Sequence, residues 1–226
     1  MKKIFKRLWC NWSVLRGQQF PLERMLGKSF VPASQLPHRR LLELYERHGR
    51  EGFDLVDTQY YRKIVDFNGD LAESFGALPE QMDIRPTWWL MPWASLHKKS
   101  VVPPQEVLQQ RAVKNINKFF DLYDSIVAHG YEPAKGGAIS GFLLDHPQYG
   151  QAFNHIDGHH RMAVLDYLKS TGRLNEQVVC VEVLGLIHRD ELLEQASCRE
   201  GIAQGYFSER DAFVLFDHVF AQLSST

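Results

Sequence analysis

No uninterrupted apolar run of about 18 residues occurs anywhere in the chain, which excludes a membrane-spanning helix. Cysteine is scarce and odd in number. Cys10, Cys180 and Cys198 lie far apart with no CxxC pair, so neither a disulfide framework nor a paired-thiol zinc site is expected, and a reducing cytoplasmic setting fits. An excess of charge of one sign is also missing: the formal net charge is −1, which argues against a protein dedicated to coating DNA. There is no HExxH metal motif, no internal repeat and no low-complexity tract.

What is present is a composition able to bury a core. The chain has 226 residues, 44% hydrophobic and 12% aromatic, enough for one large domain or a core with an extension. Charge is spread unevenly. Residues 1–50 hold eleven Lys/Arg against three acids (Glu23, Glu43, Glu46), whereas residues 175–226 hold nine acids against three arginines. That asymmetry predicts either an anionic partner for the N-terminal part or docking of the basic segment on the acidic one. Met1 to Trp9 has a signal-like basic front without the apolar core of a secretory peptide. Ile4, Phe5, Leu8, Trp9 and Trp12 could form the apolar face of a basic helix lying on a membrane surface, or pack on the protein's own body.

The chain divides into three parts. Residues 1–85 read as a helical and irregular N-terminal region, with helix candidates at Leu41–His48 and Asp57–Phe67, the latter turning Tyr60, Tyr61, Ile64 and Val65 inward. Residues 86–188 form the core unit. Trp88–Met91 reads as a strand leading to Ala94–Leu96. A helix follows over about Gln105–His129, with Val113, Ile116, Phe120, Tyr123 and Val127 inward at helical spacing. Strands are predicted at Ala138–Leu144 and Ala152–Ile156, joined by a turn over Asp145–Gly150, and a helix from Gly158 to about Ser170 is stopped by Gly172. Val178–Leu184 is apolar on both faces and reads as a central strand. Residues 189–226 supply C-terminal helices on the core, the last opened by a Ser208-x-x-Asp211 capping box and striped with Phe213, Phe216, Val219, Phe220 and Leu223.

The chemistry concentrates at residues 154–161, Asn-His-Ile-Asp-Gly-His-His-Arg. An apolar strand reaches a sharp turn at Asp157-Gly158, and a helix opens at once. Gly158 permits tight turning and close backbone approach. His159, His160 and Arg161 stand on a helix first turn, where free N–H groups and the positive dipole end favour an anion. This is the pattern of a phosphate site.

The strand–turn–helix order, together with the run Asp157-Gly158-His159-His160-Arg161 before Met162-Ala163-Val164-Leu165, resembles the ParB/sulfiredoxin-like fold, and within it the free-serine kinases. The resemblance covers about residues 88–185. It implies an α+β fold, a mixed sheet with flanking helices, to which residues 1–85 add a largely helical N-terminal extension. It also implies a nucleotide (ATP, ADP or CTP) bound with Mg2+ at the turn. Gly158 would allow approach of the phosphates, and His160 and Arg161 would contact them. His159 stands where sulfiredoxin has its catalytic cysteine, so sulfinic-acid reduction is excluded. ParB's usual Glu-Arg-Arg is replaced, which weakens a partition role. The preceding helix offers Lys118, Asp121 and Ser125 to the nucleotide, with Lys114 or Arg111 as substitutes for Lys118.

The leading expectation is a kinase-like phosphotransferase acting on a small-molecule or sugar hydroxyl. Asp157 would serve as metal ligand or base and His159 as a second catalytic group; for Asp157 the competing role is a helix N-cap. Three other readings stand beside it. His155, Asp157 and His159, with His146, could form a transition-metal site. A ParB-like nucleic-acid-binding or nuclease module could use Arg39-Arg40, Lys98-Lys99 and Trp93. A non-catalytic nucleotide sensor would use the same turn without chemistry. Asp166 and Glu182 are further acids near the core, Glu182 interrupting an apolar strand.

Overall fold

The structure, a computed structural model, describes residues 16–27, 36–65, 90–95, 104–133, 137–174 and 178–224. The basic face at residues 1–12, Cys10, Trp88-Trp89 and Lys98-Lys99 lie outside them. The described elements are β1 (Arg16–Pro21), β2 (Met25–Leu26), α1 (His38–His48), α2 (Gln59–Val65), β3 (Leu90–Met91), β4 (Ala94–Ser95), α3 (Gln105–His129), β5 (Ile139–His146), β6 (Gly150–Asp157), α4 (His159–Ser170), β7 (Val178–His188), α5 (Ala196–Ala203) and α6 (Glu209–Ser224), with short 3-10 turns at Leu22–Arg24, Leu55–Asp57 and Arg189–Glu194. None of the described helices is long and apolar enough to cross a membrane.

Five strands form one mixed sheet in the order β1-β7-β5-β6-β2. β5 and β6 are an antiparallel hairpin turning at Pro147–Tyr149. β7 lies parallel to β5 on one side and antiparallel to β1 on the other, so it is interior, as its two apolar faces predict. β2 closes the far edge, parallel to β6. The alternation of a strand then splits neighbouring residues between two layers. Leu143 and Phe153 join a core with α1, α2, α3 and α4, whereas Leu144 and Ala152 join a second core with Met91, Trp93, Leu192 and the α6 residues Leu215, Phe216, Val219 and Phe220. The protein is therefore an α+β structure with helices on both faces of its sheet.

Two expectations need correction. The N-terminal region is not only helical: residues 16–26 supply both edge strands, and Phe20, Leu22 and Met25 share one apolar cluster with α3 and α4. The boundary at residue 85 consequently does not separate two cores. The face of α3 is rotated, because Val113 and Val127 are exposed while Leu108, Ala112, Ile116, Phe119, Phe120, Tyr123 and Ile126 are buried. Two apolar series with 3-and-4 spacing run along this helix, and the one containing Phe119 wins by burying the larger side chains. β3 and β4 form a two-stranded ribbon of their own.

Candidate histidine and glycine-turn site

The end of β6 is irregular. Ser140 pairs with Asp157 and the next residue, Gly141, pairs with His155, so Ile156 is a bulge residue. The bulge breaks the alternation that would have put His155 and Asp157 on one face. His155 is fully buried, whereas Asp157 is exposed at the strand end. Gly141 is what allows the bulge: a Cβ there would overlap the Asn154 carbonyl and crowd the His155 Cα. The His155 Nδ1–H donates to the Leu26 carbonyl at 2.8 Å, so the edge strand β2 fixes this ring.

Gly158 occupies the helix cap in a left-handed conformation (φ 91°, ψ 19°), and no side chain caps the N-terminus of α4. The Asp157 cap expectation is thus not met, because glycine at the cap position has no side chain to accept a bond. The first helical hydrogen bond runs from Met162 N–H to the Gly158 carbonyl, and the amides of His159, His160 and Arg161 precede the ladder. Arg161 folds back over the turn. Its Nη1 donates to the Ala138 carbonyl at 3.2 Å, leaving further guanidinium N–H groups for an anion. A Cβ on Gly137 would lie 3.0 Å from its Nη2, and one on Gly158 would lie 3.2 Å from its Nη1. Both glycines have positive φ, so two turns with bare backbone flank one guanidinium.

Beside this turn stands a group the sequence did not connect. His38, the first residue of α1, meets His159 and His160 with ring centroids 5.6 and 5.4 Å away, and the latter two rings are 4.1 Å apart. One nitrogen from each of the three can be chosen so that all lie within 4.8 Å of one another. His155 extends the group, 6.2 Å from the His159 ring. Tyr60 of α2 hydrogen-bonds its hydroxyl to His160 Nε2 at 2.6 Å, and Phe119 of α3 lies 5.0 Å from the same ring. Burial holds the Tyr60 phenol well above its ordinary pKa, so it stays protonated across the physiological range.

Other sequence candidates lie elsewhere. Lys118 and Ser125 are exposed on α3, off the stripe that carries Phe119 to the site, and Lys114 and Arg111 are exposed as well. Asp121 is engaged by Arg50. His146 is buried in the second core beside Phe220, with Nε2 3.2 Å from Asp217, which removes it from any set with His155. Asp166 is half-buried on α4, where burial raises its carboxyl pKa against the lowering pull of Arg39 and Lys169. Glu182 sits half-buried on β7, paired in register with Arg16 of β1. His38, Tyr60 as a partner of His160 and Phe119 were missed; only the inward placement of Tyr60 was foreseen.

Comparison with protein-family models, with curated proteins and with solved structures finds no match for this chain.

Proposed function

We propose that the chain binds the phosphates of a nucleotide at Gly158–Arg161 and transfers phosphate to a small-molecule or sugar hydroxyl. One observation carries this reading: the uncapped α4 N-terminus and the Arg161 guanidinium converge between two positive-φ glycines, Gly137 and Gly158. Three backbone N–H groups that precede the helical ladder, a helix dipole and a delocalised cation then belong to one turn. The DGHHR resemblance to ParB/sulfiredoxin-like proteins supports the same assignment. His160 and Arg161 would hold phosphate oxygens, and His159 would take the acceptor proton. Mg2+ has a single oxygen donor on the turn, Asp157, so it would be carried mainly by the nucleotide phosphates and water.

A thermal-shift panel of ATP, ADP and CTP, with and without Mg2+, tests the proposal. Ligand at about 100 times its Kd adds roughly 2.7 kcal/mol, which in a chain of this size raises Tm by roughly 5–10 °C. Arg161→Ala should erase that shift while leaving the unliganded Tm near wild type. No shift with any nucleotide removes the reading. Stabilisation without nucleotide turnover, over a panel of hydroxyl acceptors, reduces it to nucleotide sensing.

A further inference from the structure

We infer that His38, His159 and His160 form a three-imidazole site for a borderline divalent transition ion of the zinc class, with a fourth coordination position open. The three residues come from two elements, α1 and α4, held together by the shared apolar core. Their chosen nitrogens lie within 4.8 Å of one another. Around a tetrahedral ion with metal–nitrogen distances of about 2.0–2.1 Å, ligand nitrogens sit about 3.4 Å apart. Rotation of imidazole rings about their side-chain torsions, by about 0.7 Å at each nitrogen, spans that difference without moving the backbone.

The donor set selects the ion. Among the described residues the group has three nitrogens and no carboxylate or thiolate, which suits Zn2+, Co2+, Ni2+ or Cu2+ and disfavours Mg2+ and Ca2+, whose preference is oxygen. Tyr60 supplies the outer contact that metal-bound histidines generally have. When His160 meets the ion through Nδ1, its Nε2–H donates to the phenol oxygen of Tyr60. Tyr60 is therefore a positioning residue. Phe119 closes the same side with an apolar ring 5.2 Å from His38 and 5.0 Å from His160. Three protein ligands among the described residues leave a fourth position, the arrangement of catalytic rather than structural zinc. The ion would stand beside the N-terminus of α4, so the open position favours an anion or a hydroxide over a neutral ligand.

This site shares His159 and His160 with the phosphate reading but rests on a separate observation, the approach of His38 to those two rings, and not on the turn amides or Arg161. Zn2+ binding to the full chain, stripped with chelator and assayed without nucleotide or phosphate, tests it. Calorimetry should give about one Zn2+ per chain, and Co2+ should give the intense visible bands of a four-coordinate nitrogen site. His159→Ala and His38→Ala should abolish both signals. Tyr60→Phe should weaken Zn2+ by about 10–100-fold while keeping the Co2+ bands. His129→Ala, at the exposed end of α3, should change nothing. Because His38 is buried and its variant could unfold, the half-buried His159→Ala, checked for native circular dichroism, decides the matter. Wild type that binds no Zn2+, or folded His159→Ala that binds it as well as wild type, overturns the proposal. Either result leaves nucleotide stabilisation at the turn untouched, so the two readings fail separately.

Discussion

A methyl group placed on Gly158 would lie 3.0 Å from the Ile139 Cα and 3.2 Å from the Arg161 guanidinium, on a backbone with φ at 91°. The same methyl on Gly172, where φ is 71°, meets nothing within 4 Å. The contrast separates the cost of left-handed backbone from the cost of close approach. Gly172→Ala should cost about 1–2 kcal/mol from conformation alone. Gly158→Ala should cost a further 1–3 kcal/mol or so, because strand β5 cannot retreat without breaking its pairing. Urea midpoints at unchanged m-value measure both; equal losses would mean that the β5 contact carries no energy. At this scale the sequence exposed part of the site. Gly158, His159, His160 and Arg161 are contiguous, so their convergence follows from one turn. His38 lies 121 positions before His159, at the start of a helix with no local pattern around it. Which of ten histidines meets the turn depends on how α1 packs, and single-sequence periodicity carries no such information.

Glu46 joins three elements through one carboxylate. It accepts hydrogen bonds from Tyr167 of α4 at 2.6 Å, from Tyr123 of α3, and from Arg173 just beyond α4. Burial, mainly, pushes the Tyr123 hydroxyl up to about 12, so it remains a donor. For Glu46 burial acts to raise the pKa, but the bonds from Arg173, Tyr123 and Tyr167 outweigh it and the net shift is downward. A depressed carboxylate stabilises the fold above its ordinary value of 4.5 and loses that contribution as pH falls through the lower folded value. Glu46→Gln should therefore flatten the stability-versus-pH curve on the acid side of about 4.5. Glu46→Ala should cost about 1–3 kcal/mol at neutral pH, since two phenols and a guanidinium lose their acceptor. An unchanged acid limb would refute the link. At the end of the chain, Asp211 accepts from the Ser208 amide at 3.0 Å and the Asp211 amide donates to the Ser208 hydroxyl at 3.1 Å. This is the reciprocal box that the sequence predicts, and Ser208→Ala should cost about 1 kcal/mol in chemical denaturation. Elements with strong local signals were readable in this way, and α4 begins and ends where its glycines predict. α3 was readable in extent but not in facing, because two apolar series compete along it.

The edge strands fall outside local reading altogether, and they change what counts as a folding unit. Arg16-Gly-Gln-Gln-Phe-Pro has little alternation, and Met25-Leu26 is too short to show a period. Each becomes a strand only because an interior partner, β7 or β6, offers unpaired backbone. Their side chains then complete both cores: Phe20, Leu22 and Met25 on the α1–α4 face, Leu26 on the α6 face. A fragment of residues 86–226, the core unit of the sequence with its C-terminal helices, would lose all of this together with α1 and α2. Leu41, Leu42, Tyr60, Tyr61 and Val65 would leave the cluster, and α3 and α4 would expose Phe119, Phe120 and Leu165. Burial of each such side chain contributes about 1.5–3 kcal/mol, so the summed loss exceeds the roughly 5–15 kcal/mol that keeps a domain folded. A fragment of residues 86–226 should accordingly lack a cooperative thermal transition and should aggregate through the bared β6 and β7 edges. Removal of residues 1–27 alone should also lower Tm sharply and promote association. Circular dichroism melting and size-exclusion chromatography measure both truncations. A monomeric 86–226 fragment melting like the full chain would show that the sheet needs neither edge strand nor the helices that place His38 and Tyr60 against the turn.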